Sequence, residues 1–356
     1  MTLATKNVFI DTEFYVKAEM DFESQTFKSF GELCQKGELV HITSTVVEQE
    51  VKKKILESIK EGLKNLDTFK KRAGFLRNDE ALANEIFTTK TEDELKKKGY
   101  EDFQEFLELT NAEIVDMSKV DPNEILEMFF KQIRPFGAKK QTEFRDAFSL
   151  LAIRSALKGN EKIYVISSDP DHKAFCKGSE QFISIDTLSA MLDMCYKHID
   201  ARSQFVEKFI ADKMEAIRAE IKSHLEDADG YNSSTWEDAE VDHFEVVQID
   251  DFEPQITHLD NESCILNFDI SVKFKVEVSG PDMVNSHYDR EDDTYFTFEA
   301  TDREDEEEHN FSVEVNIYFE DDEGTFINEE FDLSIIGLSK GIEFSVEETP
   351  FEDPRM

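Results

Sequence analysis

The sequence predicts an α/β domain built on a doubly wound parallel sheet with a helical insertion, followed by an antiparallel all-β domain. Three observations carry this. Val8-Phe9-Ile10 and Ile163-Tyr164-Val165-Ile166 are short apolar runs without alternation, the mark of strands buried on both faces. Helical patterns separate such runs, as right-handed crossovers require. After Asp229-Gly230 the period changes to two, as in Phe311, Val313, Val315, Ile317 and Phe319.

The 356 residues suit two domains. The expected division is 1–198 for the α/β domain, with its helical insertion at about 66–134, then a linker helix over 199–230 and an acidic β-sandwich-like domain over 231–356. No apolar run approaches the roughly 18 residues of a membrane helix, and no basic-then-apolar leader opens the sequence. Cys34, Cys176, Cys195 and Cys264 form no CxxC pair, which argues against structural zinc or a disulfide scaffold and points to a reducing cytoplasm.

The net charge of −40 opposes nucleic acid and membranes at long range, so any polyanion must be met by metal ions or local basic patches. Those patches lie in the first half: Lys52-Lys53-Lys54, Lys70-Lys71-Arg72, Lys96-Lys97-Lys98 and Lys139-Lys140. From Glu226 onward acids dominate.

In chain order, the first strand ends abruptly in Asp11-Thr12-Glu13, and a helix follows with Phe27, Phe30 and Leu33 on one face. Leu39-Val40-His41-Ile42 is the second strand. Thr43-Ser44-Thr45 supplies an N-cap for a long helix through Val47, Val51, Ile55 and Ile59, with Glu48 in its first turn. Residues 66–134 read as further charged helices, and another helix opens on Glu143-Phe144-Arg145-Asp146. The strand at 163–166 runs into Ser167-Ser168-Asp169-Pro170-Asp171, and a fourth strand, 182–185, completes the alternation. An amphipathic helix over 200–226 leads to strands near 243–250, 264–279, 294–300, 311–319 and 326–336. The acid run at 302–308 reads as a solvated loop, His172 as an incidental surface residue and lone Trp236 as packing.

The chemistry rests on Asp11, Glu48, Asp146 and Asp169, with Glu13, Glu143 and Asp171 as neighbours. In an open α/β sheet the C-terminal ends of the strands face the ligand crevice. Several carboxylates there raise one another's pKa, and a hard divalent cation with oxygen ligands, Mg²⁺ or Mn²⁺, relieves them. Glu48 and Glu143 also fit the bland role of acids at helix N-termini, and Asp169 that of a helix N-cap before Pro170.

Val8-Phe9-Ile10-Asp11-Thr12, Thr45-Val46-Val47-Glu48, Glu143-Phe144-Arg145-Asp146-Ala147 and Val165-Ile166-Ser167-Ser168-Asp169 together resemble a PIN domain over about residues 5–198. The resemblance implies a Mg²⁺- or Mn²⁺-dependent nuclease, RNA being favoured over DNA, with catalytic metal ligands Asp11, Glu48, Asp146 and Asp169. Glu143 is a further candidate ligand, and Lys139 and Lys140 are candidate phosphate contacts. Two positions depart from the family pattern: Glu13 stands where Asn is usual, and Pro170 where a small or basic residue is common. The acidic β domain lies outside a minimal PIN fold and resembles, more loosely, appendages of bacterial toxin or phage-defence proteins. It is expected to regulate the site or bind a protein partner. A catalytically silent adaptor and a DNA flap nuclease are the competing readings.

Overall fold

The computed structural model describes residues 3–78, 87, 90–136, 143–199, 202–282, 287–289, 294–296, 299–322 and 325–348. It divides into two units, Met1–Ile199 and Asp200–Met356.

The first unit holds β1 (Asn7–Ile10), α1 (Thr12–Lys17), α2 (Gln25–Gln35), β2 (Val40–Ser44), α3 (Thr45–Arg72), α4 (Glu92–Leu109) and β3 (Glu113–Val115). It continues through α5 (Pro122–Phe130), α6 (Phe144–Ala156), β4 (Ile163–Ile166), α7 (Pro170–Lys177), β5 (Phe182–Ile185) and α8 (Leu188–Ile199). All strands pair in parallel, in the order β3-β2-β1-β4-β5. Val8, Phe9 and Ile10 are buried on both faces, as is every residue of β4. The chain winds outward from β1 through β2 to β3, then returns to lay β4 on the other side of β1. The switch point therefore lies between β1 and β4, whose C-terminal ends carry Asp11 and Ser167.

Residues 66–134 hold the end of α3, the helices α4 and α5, and one short strand. α3 runs unbroken to Arg72, with Lys70, Lys71 and Arg72 in its last turn complementing the helix dipole. Within the same stretch Glu113-Ile114-Val115 forms the edge of the sheet against β2. A strand this short, with Glu113 and Ile114 exposed, leaves no periodic trace in the sequence. α4 packs closely on its neighbours: a Cβ at Gly31 would meet the Leu109 side chain at 2.5 Å, and one at Gly99 would meet Ile55 at 2.7 Å. Tyr15, Phe22, Phe27, Phe103 and Phe106 interlock between α1, α2 and α4, with ring centroids 5.0 to 6.1 Å apart.

His41 on β2 is fully buried, its Nδ1 2.8 Å from Thr110 Oγ1. The Thr110 hydroxyl donates to Phe106 O at 3.1 Å, so it accepts from His41 Nδ1–H, and the imidazole is neutral. Burial lowers the His41 pKa from 6.5 to about 3. A pKa lower in the folded state means that the unfolded chain binds the extra proton, so stability is full above pH 6.5 and declines as pH falls toward 3. His41→Leu is expected to flatten that part of the pH dependence, read as the shift of the urea midpoint with pH relative to wild type.

The second unit opens with α9 (Arg202–Glu226), followed by β6 (Gly230–Asn232), β7 (Glu240–Ile249), β8 (Gln255–Leu259), β9 (Ser263–Pro281), β10 (His287–Asp289) and β11 (Thr294–Phe296). β12 (Ala300–Asp322), β13 (Thr325–Ile335) and β14 (Ile342–Phe344) complete it. Its main sheet is antiparallel, β13-β12-β9-β7, with β8 also on β9. β9 alternates strictly, burying Cys264, Leu266, Phe268, Ile270, Val272, Phe274, Val276 and Val278. α9 lies against this apolar surface, Phe205 5.5 Å from Phe319 and Phe209 6.2 Å from Phe331.

The acid run at 302–308 is not a loop. It lies inside β12, paired residue for residue with β9 from Ser263↔Tyr318 to Pro281↔Ala300. The apolar alternation of 311–319 fixes the register, and lysines on β9 offset the acids of β12 diagonally: Lys275, which faces Glu306, meets Glu304 at 2.8 Å, and Lys273, which faces Glu308, pairs with Glu306. Trp236 is buried, with Nε1 donating to Pro281 O at 2.8 Å. A Cβ at Gly280 would stand 2.7 Å from its indole. Gly280→Ala is therefore expected to cost about 1–3 kcal/mol, measurable by urea unfolding.

Candidate active site

Asp11 sits immediately past β1, where its backbone N–H donates to Ile166 O at 3.0 Å and continues the sheet pairing. Its side chain caps α1, accepting from Thr12 N at 2.8 Å through Oδ1. Oδ2 accepts from the Ser167 hydroxyl at 3.1 Å. Asp11 is only 9% exposed, and burial raises its pKa against the opposing pull of His172.

Asp146, in the first turn of α6, faces the same point. Its pKa is pushed up to about 8, first by burial, then by a hydrogen bond with Glu143, then by the negative charges of Asp11, Glu143 and Glu50. Those causes place Asp11, Glu50, Glu143 and Asp146 at one cleft. His172 lies between the two aspartates, with Nδ1 3.5 Å from Asp11 Oδ2 and Nε2 3.9 Å from Asp146 Oδ1. It is 3% exposed, so the expected surface role is corrected. Asp169 N-caps α7, accepting from Asp171 N at 2.6 Å, as Pro170 at the first helical position favours. Its own N–H donates to the Ser167 hydroxyl at 3.1 Å, so a single serine joins the Asp11 carboxylate to the Asp169 backbone. Asp171 is buried and paired with Arg134. Glu13 faces Lys17 at 2.8 Å and accepts from the Ser168 hydroxyl at 3.1 Å.

The structure separates the two glutamates at the start of α3. Glu48 pairs with Lys52 at 2.5 Å, one helical turn on. Glu50 accepts from the Thr12 hydroxyl at 3.0 Å, pairs with Arg145 at 2.6 Å, and raises the Asp146 pKa. Two positions correspond to about 200° around a helix, so the pair flank the buried stripe of Val47, Val51 and Ile55 on opposite sides. Glu50, missed in the sequence, is the glutamate directed to the cleft. The sequence carries no signal that separates the two, since each has a lysine four positions on, Lys52 and Lys54. Lys139 and Lys140 lie outside the described residues.

Among the described residues, no three His, Cys, Asp or Glu side chains already converge as a closed metal site. The donor chemistry nevertheless fits a hard divalent cation: the carboxylates of Asp11, Glu50, Glu143 and Asp146 offer oxygen ligands whose mutual repulsion a cation removes. The buried His172 Nδ1 has no hydrogen-bond partner.

Residues 8–172, which lie in the first unit, match the family described as PIN domain. No curated protein and no solved structure matches the chain. PIN domains are generally nucleases that use divalent metals such as Mg²⁺ or Mn²⁺. The second unit, α9 and the β-strands that follow it, lies outside the matched residues. Among the described residues, no helix is long and apolar enough to cross a membrane.

Proposed function

We propose that the PIN domain of this chain is a metal-dependent endoribonuclease of the cytoplasm that hydrolyses phosphodiester bonds. The observation that carries the reading is the meeting of Asp11 and Asp146, from separate elements, at the switch-point cleft, where burial and neighbouring acids raise both pKa values. A fold gains nothing from such repulsion, so its retention points to function. Asp11, Glu50 and Asp146 would hold the cation, with Glu143 at its edge. Bound there, Mg²⁺ or Mn²⁺ supplies charge neutralisation and Lewis acidity toward the phosphodiester. Ser167 fixes the direction of the Asp11 carboxylate through its hydrogen bond, His172 backs the same oxygen electrostatically from 3.5 Å, and water attacks in line without a covalent enzyme intermediate.

RNA is the favoured substrate because a DNA-tracking nuclease needs an extended basic surface, and a chain of net charge −40 is poorly suited to one. The acidic β unit is assigned regulation of the site or capture of a protein partner, in a role consistent with toxins or phage defence. The test is cleavage of labelled single-stranded RNA, tRNA, single-stranded DNA and duplex DNA with Mn²⁺ or Mg²⁺. Metal-dependent cutting of the RNAs is expected. A folded protein that cuts none of them and binds no Mn²⁺ in calorimetry would be an adaptor instead. His172→Ala is expected to lower the cleavage rate by about 10–100-fold while the protein stays folded by circular dichroism, the usual effect of removing a group that orients a ligand.

A further inference from the structure

We infer that the open cleft lined by Val46, Gln49, Glu50, Lys53, Met117 and Arg145 is the subsite for one unpaired nucleotide adjoining the bond that is cut. The inference rests on the nuclease reading only for the identity of that bond.

The cleft has a volume of about 480 Å³, within the range of small-ligand pockets. Its walls come from the first turns of α3, from the start of α6 and from the turn after β3, so it adjoins the carboxylates without being part of them. Glu50 belongs to both: one oxygen accepts from Thr12 and the other pairs with Arg145. Arg145 is the chain neighbour of Asp146, and its side chain is 65% exposed. A guanidinium carries five N–H donors, and the bond to Glu50 leaves part of that fork for a phosphate oxygen.

Other lining residues suit a base. Half-buried Val46 and Met117 present apolar surface, and the polarisable Met117 thioether adapts to a flat ring. Exposed Gln49 brings an amide donor and acceptor to the ring edge, and Lys53 adds a second cation at the rim. An apolar slot beside an exposed guanidinium, next to a carboxylate cluster, matches a nucleobase with its phosphate.

The charge of the chain strengthens this choice. At −40 the whole molecule repels a polyanion, so affinity must come from contacts other than long-range attraction. A pocket that grips a base provides them. Duplex ends hold their bases stacked and paired, so the pocket selects single strands or splayed loops.

The experiment uses the full chain and a fluorescein-labelled pentauridylate containing one 4-thiouridine, in a chelator so that nothing is cut. Anisotropy is expected to show binding that weakens about tenfold in Met117→Ala and in Arg145→Gln, and that is lost when the oligonucleotide is annealed to its complement. Photocrosslinks should map to residues 46–53 and to Met117. Unchanged binding in both variants, crosslinks confined to other residues, or equal affinity for the duplex would each overturn the inference. Displacement of the oligonucleotide by a lysine-rich peptide that takes over the same crosslinks would also overturn it, by making the cleft a protein-binding site. Because no cleavage is read, a protein that fails every nuclease assay can still pass this test, and an active nuclease can fail it.

Discussion

Asp146→Asn is expected to lower metal-dependent cleavage by more than about 100-fold while leaving the fold as stable as wild type or more so. Both halves of the expectation come from one fact. Asp146 has its pKa pushed up to about 8 because burial and the charges of Glu143, Asp11 and Glu50 oppose its ionisation. An amide of the same shape removes the repulsion and also removes an oxygen ligand. Urea unfolding in a chelator should therefore show no loss, and calorimetric Mn²⁺ binding should fall with the activity. A variant that lost stability and activity together would mark Asp146 as structural.

The companion pair separates the two glutamates of α3. Glu50→Gln is expected to reduce cleavage by at least about tenfold, because Glu50 is tied to Thr12 and coupled to Asp146. Glu48→Gln changes a half-buried i,i+4 pair with Lys52 in which the amide oxygen can still accept from the ammonium, so its activity should stay within a few-fold of wild type. If Glu48→Gln proved the more damaging, the assignment of Glu50 to the cleft would be wrong.

That pair also shows where the sequence stops being legible. β1 and β4 could be read because strands buried on both faces leave unbroken apolar runs, and their ends place Asp11 and Asp169 at the mouth of the sheet. The start of α3 could be read because Ser44 caps it, accepting from Val47 N at 3.2 Å. The flank of that helix that meets Thr12 is set by tertiary packing, and two acids two positions apart look alike until α1 is in place. His172 carries no local signal, since its burial depends on α7 folding back over Asp11 and α6 bringing Asp146. The strand at 113–115 is too short for a period, and the acids of 302–308 join β12 only because their register is dictated by the apolar half of the same strand.

The largest loss of stability is expected from Phe27→Ala, at about 3–5 kcal/mol. Phe27 is 1% exposed and is ringed by Phe14 at 5.9 Å, Tyr15 at 5.8 Å, Phe22 at 5.7 Å and Phe106 at 5.0 Å. Truncation removes the apolar area of the ring and leaves a cavity between α1, α2 and α4 that stiff aromatic neighbours are slow to fill. The loss is a large part of the roughly 5–15 kcal/mol that holds a typical domain together. α1 is also the helix that Asp11 caps, so the same cluster carries the carboxylate on its far end. Phe27→Leu, which keeps most of the volume, should recover the greater part of the stability. If Phe27→Ala lowers cleavage only in proportion to the fraction unfolded, α1 holds Asp11 through the β1 backbone alone. A further loss in the folded fraction, visible as a lower rate at saturating substrate well below the unfolding temperature, would mean that the aromatic cluster also sets the angle of the carboxylate.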